Sequence, residues 1–324
     1  MTPILPGAPW LIAHRSMLRV NQPFKVRLNG QDYVLWQNGA GEIFALENVC
    51  PHMQAPLSEG WICAERNTIT CPFHALEFDA SGRYCQPEQR SGQASGQPLL
   101  QALPLEIRGD LIWSYGGHEP RMPIPDVIER SSQGFEWVGT TPQKSIRGRF
   151  LENLLVNYDY NHQNGTHHEM FRIKGVQVSD YVENGYCTTL KQSIQRDDNS
   201  LGEILKNPIL KLLPEAWTND FEYAFPCLTT LKGEMPFGKI FQIHSLYPED
   251  ETHTSTFILI FAQLTNPIVK ALTPVLRNSL LETANTIIAQ DTVAIETSYP
   301  RQNRKIRLPN EHIMDYAEQL YENW

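Results

Sequence analysis

Two short phrases constrain this chain more than anything else in it: Cys50-Pro51-His52 and, after eighteen intervening residues, Cys71-Pro72-Phe73-His74. Each offers one thiol and one imidazole within a few residues, so the fold has to bring two loops to a common point. Such a donor set can hold zinc, but structural zinc sites usually pair like with like, as Cys-x2-Cys followed by His-x3-5-His. A [2Fe-2S] cluster in which two thiolates hold one iron and two imidazoles the other takes one Cys and one His from each loop. The mixed spacing fits that cluster and argues against zinc.

Cysteine-histidine ligation of this kind defines a Rieske centre. High-potential Rieske proteins carry one further cysteine in each loop, joined as a disulfide over the cluster. Ala55 and Phe73 stand at the corresponding places here. Cys63, Cys85, Cys187 and Cys227 lie outside the loops and read as reduced core or strand cysteines rather than a disulfide framework. A lower-potential centre that passes electrons to an oxygenase is therefore expected.

A small electron carrier needs only the first third of the 324 residues, and the length favours two domains. With 41% hydrophobic and 19% charged residues the composition is that of an ordinary globular protein. The longest apolar run, Phe257 to Ala262, falls far short of a membrane span and reads as a strand. The N-terminus lacks the basic start and apolar stretch of a signal peptide, so a cytoplasmic location is expected. A net charge of -9 opposes nonspecific binding to nucleic acid.

From Phe24 to about Tyr115 short strands alternate with turns. Phe24–Leu28 and Tyr33–Trp36 flank Asn29-Gly30, a hairpin signal, and Leu76–Phe78 and Arg83–Tyr84 flank Asp79–Gly82. This predicts an antiparallel β-domain with the Cys-His loops at one tip, and Gln86 to Gln97 as an exposed loop within it. The Pro-containing stretch from His118 to Asp126 is the expected boundary, giving domains 1–117 and 118–324. Beyond it, Phe150 to Val156 reads as a helix leading into clustered histidines. Cys187 to Ile194, Lys239 to Leu246 and Thr254 to Gln263 read as strands of a second sheet. Helix is expected from Ile268 to about Ser298, despite Pro274, and from Ile313 to Trp324. Arg196 to Trp217 turns from polar to amphipathic and reads either as a lid or, preferably, as a helical insertion packed on the surface.

Asp159, His162 and His167 form Asp-x2-His-x4-His at the end of the first predicted helix. Two histidines close in sequence plus a distant carboxylate make the facial triad of a non-haem Fe(II) oxygenase, which leaves coordination positions open. Taken alone, the spacing fits capping or surface histidines better. His168 points about 100° away from His167 on a helix and is expected to be a supporting or surface residue. His14, His118, His244, His253 and His312 have no motif context and read as structural.

With both motifs present, the chain resembles the oxygenase (alpha) component of Rieske non-haem iron ring-hydroxylating oxygenases, over nearly its full length. The anchors are the two Cys-His phrases, Asp159-x2-His162-x4-His167, and Gln290-Asp291-Thr292-Val293-Ala294-Ile295-Glu296. The resemblance implies an α+β fold: an N-terminal antiparallel β Rieske domain, then a helix-grip (START-like) catalytic domain with an antiparallel sheet and long C-terminal helices. It implies that Cys50, His52, Cys71 and His74 hold the cluster and that His162, His167 and Asp291 hold a mononuclear Fe(II). It gives Asp159 the part of a carboxylate bridge carrying electrons from a neighbouring subunit's cluster histidine, His74, to His162.

Several positions depart from the family pattern. Gln290 stands where Glu is usual, and Val156 and Leu155 occupy places where an Asn is frequent, leaving Asn153 or Asn157 to substitute. Met53 replaces an Arg, and Ala75-Leu76 replaces Gly-Trp. None removes a ligand.

The implied function is hydroxylation or oxidative demethylation of a small organic substrate with O2. Electrons originate in NAD(P)H and arrive through a separate ferredoxin or reductase, since the chain has no nucleotide-binding glycine fingerprint. The compact length resembles homotrimeric members of the family. A ring cis-dihydroxylase is the alternative; a nonenzymatic Rieske electron carrier is a further one, opposed by the filled triad. Substrate contacts cannot be assigned from the sequence: Phe241 and Ile243 alternate as one strand face would, which core packing explains equally well.

Overall fold

In a computed structural model, residues 2–85, 96–265, 270, 273–300, 302 and 304–324 are described. The chain divides into two compact units, Met1–Pro123 with Tyr247–Glu251, and Ile124–Leu246 with Thr252–Trp324.

Among the described residues the first unit contains ten short strands: β1 (Trp10–His14), β2 (Phe24–Leu28), β3 (Gln31–Gln37), β4 (Ile43–Glu47), β5 (Trp61–Cys63), β6 (Thr68–Thr70), β7 (Glu77–Phe78), β8 (Tyr84–Cys85), β9 (Glu106–Arg108) and β10 (Leu111–Ser114). They form three antiparallel sheets, ordered β1-β10-β9, β2-β3-β4 and β5-β6-β7-β8. The expected hairpin between β2 and β3 is present. Asn29 and Gly30 have φ of 50° and 84°, the left-handed pair that a two-residue turn needs to match strand twist. At the β7–β8 turn, Asp79 Oδ1 accepts from the main-chain N–H of Ser81 and of Arg83, each at 2.9 Å. Residues 86–95 of the loop expected at Gln86 to Gln97 lie outside the described residues.

The second unit is built on one eight-stranded antiparallel sheet. Its strands are β11 (Glu136–Thr140), β12 (Lys144–Arg147), β13 (Ile173–Asn184), β14 (Cys187–Arg196), β15 (Ala216–Ala224), β16 (Leu228–Met235), β17 (Gly238–Pro248) and β18 (His253–Leu264). Their order is β11-β18-β17-β16-β15-β14-β13, with β12 also on β18. The first predicted helix spans Phe150–Tyr158, buries Phe150, Leu154, Leu155 and Tyr158, and ends at Asp159. The terminal helix is His312–Glu322.

The long helix is described over Thr273–Thr297; residues 268, 269, 271 and 272 of the expected helix lie outside the described residues. Pro274 lies within the described span of this helix. Leu276, Ala284 and Ile288 pack on Val138, Ile240, Ile258 and Ile260 of the sheet.

The segment after Arg196 is a packed insertion, with a short helix at Leu201–Lys206 and a 3-10 turn at Pro208–Leu212. It is tied to the long helix: the Ile209 N–H donates to Ser279 Oγ at 2.9 Å, and Asn207 Nδ2 to Thr283 Oγ1 at 2.8 Å. Arg196 is 4% exposed and holds the segment from beneath, donating to the carbonyls of Phe171 (3.0 Å) and Leu213 (3.1 Å) and to Asn199 Oδ1.

Candidate metal centres and cavity

In the first unit, both Cys-His phrases form the same kind of loop. The Cys50 N–H donates to the Ala55 carbonyl and the Gln54 N–H to the Cys50 carbonyl, each at 2.9 Å. The Cys71 N–H likewise donates to the Leu76 carbonyl at 2.9 Å, and the Ala75 N–H to the Cys71 carbonyl at 3.1 Å. Each loop closes through a residue of positive φ, Gln54 at 55° and Ala75 at 53°. Ala75 fills the place where the family pattern has glycine, so a side chain is held in the left-handed region at a cost of about 1–2 kcal/mol.

The loops bury their sulfurs and expose their imidazoles. Cys50 and Cys71 are 1% and 0% exposed and pack with Leu57, Ile62, Ile69 and Phe78, whereas His52 and His74 are exposed with ring centroids 4.7 Å apart. Burial raises the Cys50 thiol, and neighbouring Cys71 raises it further. The N–H groups of His52 and Met53 act in the opposite sense by pointing at its sulfur. Two adjacent buried thiols with N–H donors aimed at one of them suit a pair of thiolates only if a cation compensates them. This donor set fits a [2Fe-2S] cluster with its imidazole-bound iron toward solvent.

In the second unit, the end of the helix Phe150–Tyr158 and the turns after it bring His162 and His167 together. Asp291 arrives from the long helix, on which Leu280, Thr283, Ile287 and Asp291 follow each other at the three- and four-residue spacings of a single face. The two Nε2 atoms lie 3.3 Å apart, and Asp291 Oδ1 is 3.3 Å from that of His167 and 3.6 Å from that of His162. This trio is the group of converging metal-type donors among the described residues.

Each imidazole is fixed from behind. His162 Nδ1 donates to the main-chain carbonyl of Asp159, and His167 Nδ1 donates to Gln290 Oε1 at 2.8 Å. With Nδ1 protonated, each Nε2 presents a lone pair to the common point, as metal ligation requires. Asp291 Oδ1 is buried without a hydrogen-bond donor. An orphaned carboxylate oxygen facing two bare imidazole nitrogens fits a divalent cation. Burial lowers the basicity of His162. For His167, burial acts the same way, but the Asp291 carboxylate and the Gln290 amide outweigh it and leave the ring more basic than usual.

Two further side chains border the histidines. The carboxylate of Asp159 does not meet His162: its Oδ1 accepts from the Asn161 N–H at 2.8 Å, and the link to His162 runs through the main-chain carbonyl. Gln290, which departs from the family pattern, is the hydrogen-bond partner that orients His167. His168 donates through Nδ1 to the Ile173 carbonyl at 2.8 Å and stays apart from the trio.

The trio opens into a cavity whose walls the sequence did not reveal. Its polar lining includes Asn157, Gln163, Gln192, Asn219, Gln242 and His244, and its apolar lining includes Trp217, Phe221, Leu231, Met235 and Phe237. Of the two asparagines offered as substitutes, Asn157 reaches the cavity, while buried Asn153 donates to Thr254 Oγ1 at 3.1 Å. His244, read above as structural, belongs to the cavity wall; burial pushes it down to about 4, so it is neutral near pH 7. Gln242 and His244 occupy the face of β17 opposite Phe241 and Ile243, which are buried at 1% and 0% exposure. Period-two alternation separates two faces of a strand without saying which one borders a cavity.

Comparison with known proteins bears on both centres. Residues 9–102 match the model of the Rieske [2Fe-2S] domain. The 4beta-methylsterol monooxygenase of Methylococcus capsulatus is 27% identical over 285 residues, covering 81% of this chain and 70% of that one. The oxygenase component of dicamba O-demethylase from Stenotrophomonas maltophilia is 32% identical over 119 residues, 37% of this chain and about a third (34%) of that protein. The crystal structure of dicamba monooxygenase bound to dicamba superposes with a TM-score of 0.74 at 17% identity, covering 99% of both chains, which establishes a shared α+β fold. The chain thus carries a Rieske [2Fe-2S] domain and is similar, in sequence and in fold, to the oxygenase components of Rieske oxygenases.

Proposed function

We propose that this oxygenase inserts one oxygen atom of O2 into a C–H bond of a small organic substrate, giving a hydroxylated or demethylated product. Residues 1–117 would serve as the cluster domain and residues 118–324 as the catalytic domain. Cys50, His52, Cys71 and His74 hold the [2Fe-2S] cluster, and His162, His167 and Asp291 hold the mononuclear iron. When bound, the cluster relays single electrons and the Fe(II) activates dioxygen. The observation that carries the reading is the orphaned Asp291 oxygen facing two oriented imidazoles in the wall of a cavity.

The chain's own residues supply orientation and exclusion. The Asp159 carbonyl and Gln290 Oε1 accept hydrogen bonds from the Nδ1–H groups of the two histidines, which holds the ring planes and keeps both Nε2 atoms free for the metal. Two histidines and one carboxylate leave coordination positions open beside the substrate. Trp217, Phe221 and Phe237 exclude water from the reacting carbon. Single-oxygen chemistry is favoured because the named relatives are a monooxygenase and a demethylase component.

Electrons would come from NAD(P)H through a ferredoxin or reductase docking near the exposed His52 and His74. Transfer from His74 of one subunit through Asp159 to His162 of its neighbour would make a homotrimer obligatory, with the Asp159 carbonyl as the final contact. The test is substrate-dependent oxygen uptake by iron-loaded protein with a surrogate reductase and NADH, followed by mass spectrometry under labelled dioxygen. One labelled oxygen in a hydroxylated product, or loss of a methyl group with release of formaldehyde, supports the reading, and two labelled oxygens in one product would replace it with cis-dihydroxylation. Oxygen uptake unaffected by any substrate, together with only cluster iron in the protein, would return the chain to electron carriage. Light scattering reads the oligomeric state directly.

A further inference from the structure

Three carboxamides cross one wall of the cavity in a row. Gln163 follows the ligand His162, Gln192 on β14 pairs with Asn219 on β15, and Asn219 pairs with Gly233 on β16. Gln192 Nε2 donates to Gln163 Oε1 at 2.9 Å, and Asn219 Nδ2 donates to Gln192 Oε1 at 3.4 Å. Both donations run toward His162, so the row ends at its far side on an acceptor, Asn219 Oδ1. That residue is 5% exposed, and its oxygen receives no hydrogen bond. Buried acceptors are rarely left in this state, and each one calls for an explanation.

Gly233 supplies a second, independent observation. It lies within β16 and its backbone is not left-handed, so the chain's conformation there does not demand glycine. A Cβ there would stand 2.5 Å from Asn219 Oδ1 and 3.2 Å from Met235 Cε. The missing side chain makes room for the Asn219 amide, so any larger residue would displace its unpaired oxygen.

The charge of the cavity narrows the occupant further. Among the described residues, no Lys, Arg or Glu lines it, and its one carboxylate is Asp291. At the Asn219 end of the row an ionised group would lose its water and meet only carboxamides and apolar side chains, which is far more costly than burying a hydroxyl that finds an acceptor.

We propose that the cavity selects an uncharged, mainly apolar substrate bearing a hydroxyl or N–H, which donates to Asn219 Oδ1, the acceptor that Gly233 leaves room for. This rests on the oxygenase reading and adds to it the substrate class and a specificity-determining pair.

The test measures binding to the iron-loaded protein without reductant, so that a failure of oxygen chemistry is read separately. The probes are 2-naphthol and 4-phenylphenol, each compared with its fluoro analogue, a near-isostere that cannot donate, and with the carboxylate of the same ring system. The phenols are expected to bind about tenfold more tightly than the fluoro compounds, and the carboxylates more weakly than either. Asn219→Leu, close in shape but without the acceptor, is expected to abolish the preference for the phenols while leaving the fluoro compounds little changed. Gly233→Ala displaces the Asn219 amide from the other side and should also remove the preference. An unchanged melting temperature and cluster spectrum establish that each variant is folded. Tightest binding by a carboxylate would overturn the proposal. So would equal binding of phenol and fluoro analogue in the native protein, failure of either phenol to bind, or a preference that survives in both folded variants.

Discussion

His244 provides a direct check on the electrostatics of the cavity. Burial lowers this imidazole most and His167 lowers it further; Asp291 alone raises it, and the balance leaves it at about 4 against an ordinary 6.5. A cation bound by Asp291 would remove the raising influence, so metal loading acts in the same direction. Between pH 6.5 and 4 the unfolded chain therefore binds a proton at this position that the folded protein refuses, and stability falls as the pH falls. Going from pH 7.5 to 5, the group should cost about 2 kcal/mol of stability. Urea unfolding of the native protein and of His244→Gln at several pH values isolates the effect, because every other titrating group is common to both. The variant should lose less stability on acidification by about that amount. Deuterium exchange at the ring carbon, followed by mass spectrometry, would give the His244 titration midpoint independently. Parallel stability curves together with a midpoint near 6.5 would refute the reasoning.

Replacing Asp291 by Ala should leave the cluster spectrum intact and reduce total iron to that of the cluster, as read by metal analysis. Gln290→Ala removes the oxygen that orients His167 and should weaken mononuclear iron binding by about 10–100-fold in a chelator competition; His167→Ala should do at least as much. Ala75→Gly relieves a left-handed alanine and should raise stability by about 1 kcal/mol, seen as a higher melting temperature of the first unit. A destabilised Ala75→Gly would show that the alanine side chain packs productively in the cluster loop.

The legibility of each centre depended on how local its determinants are. Cys50, His52, Cys71 and His74 lie within two short spacings, and each phrase closes into a loop through its own main-chain bonds, so the pattern in the sequence is nearly the pattern in space. His162 and His167 were also visible by spacing, whereas Asp291 was reached through family resemblance, because nothing in the sequence measures the distance between two helices. The cavity was hardly legible at all. Gln192, Asn219 and Gly233 are neighbours only through strand register, and His244 differed from a core histidine only in the strand face it occupied. A sequence signal did exist in Gln242 and His244, two polar residues sharing one face of a strand whose other face is apolar. It needed the register of β16 and β17 to acquire meaning. Gln290 shows the reverse case: it was noticed as a departure, but its bond to His167 Nδ1 gives the departure a physical role.

The face formed by Leu280, Thr283, Ile287 and Asp291 has a bearing on how this chain can change over generations. One inserted residue between Ile287 and Asp291 would swing the carboxylate about 100° around the helix axis and carry it away from the histidines, even though every amino acid of the triad survived. The Asn184–Cys187 turn joining β13 and β14 answers to a different constraint: its Gly185 carbonyl accepts from the Tyr316 hydroxyl and its Tyr186 carbonyl from the Phe225 N–H, so its length is tied to the terminal helix rather than to the metal donors. Descendants of this sequence should therefore keep the spacing along the long helix fixed, and a homologue that shifts it should have surrendered its mononuclear iron.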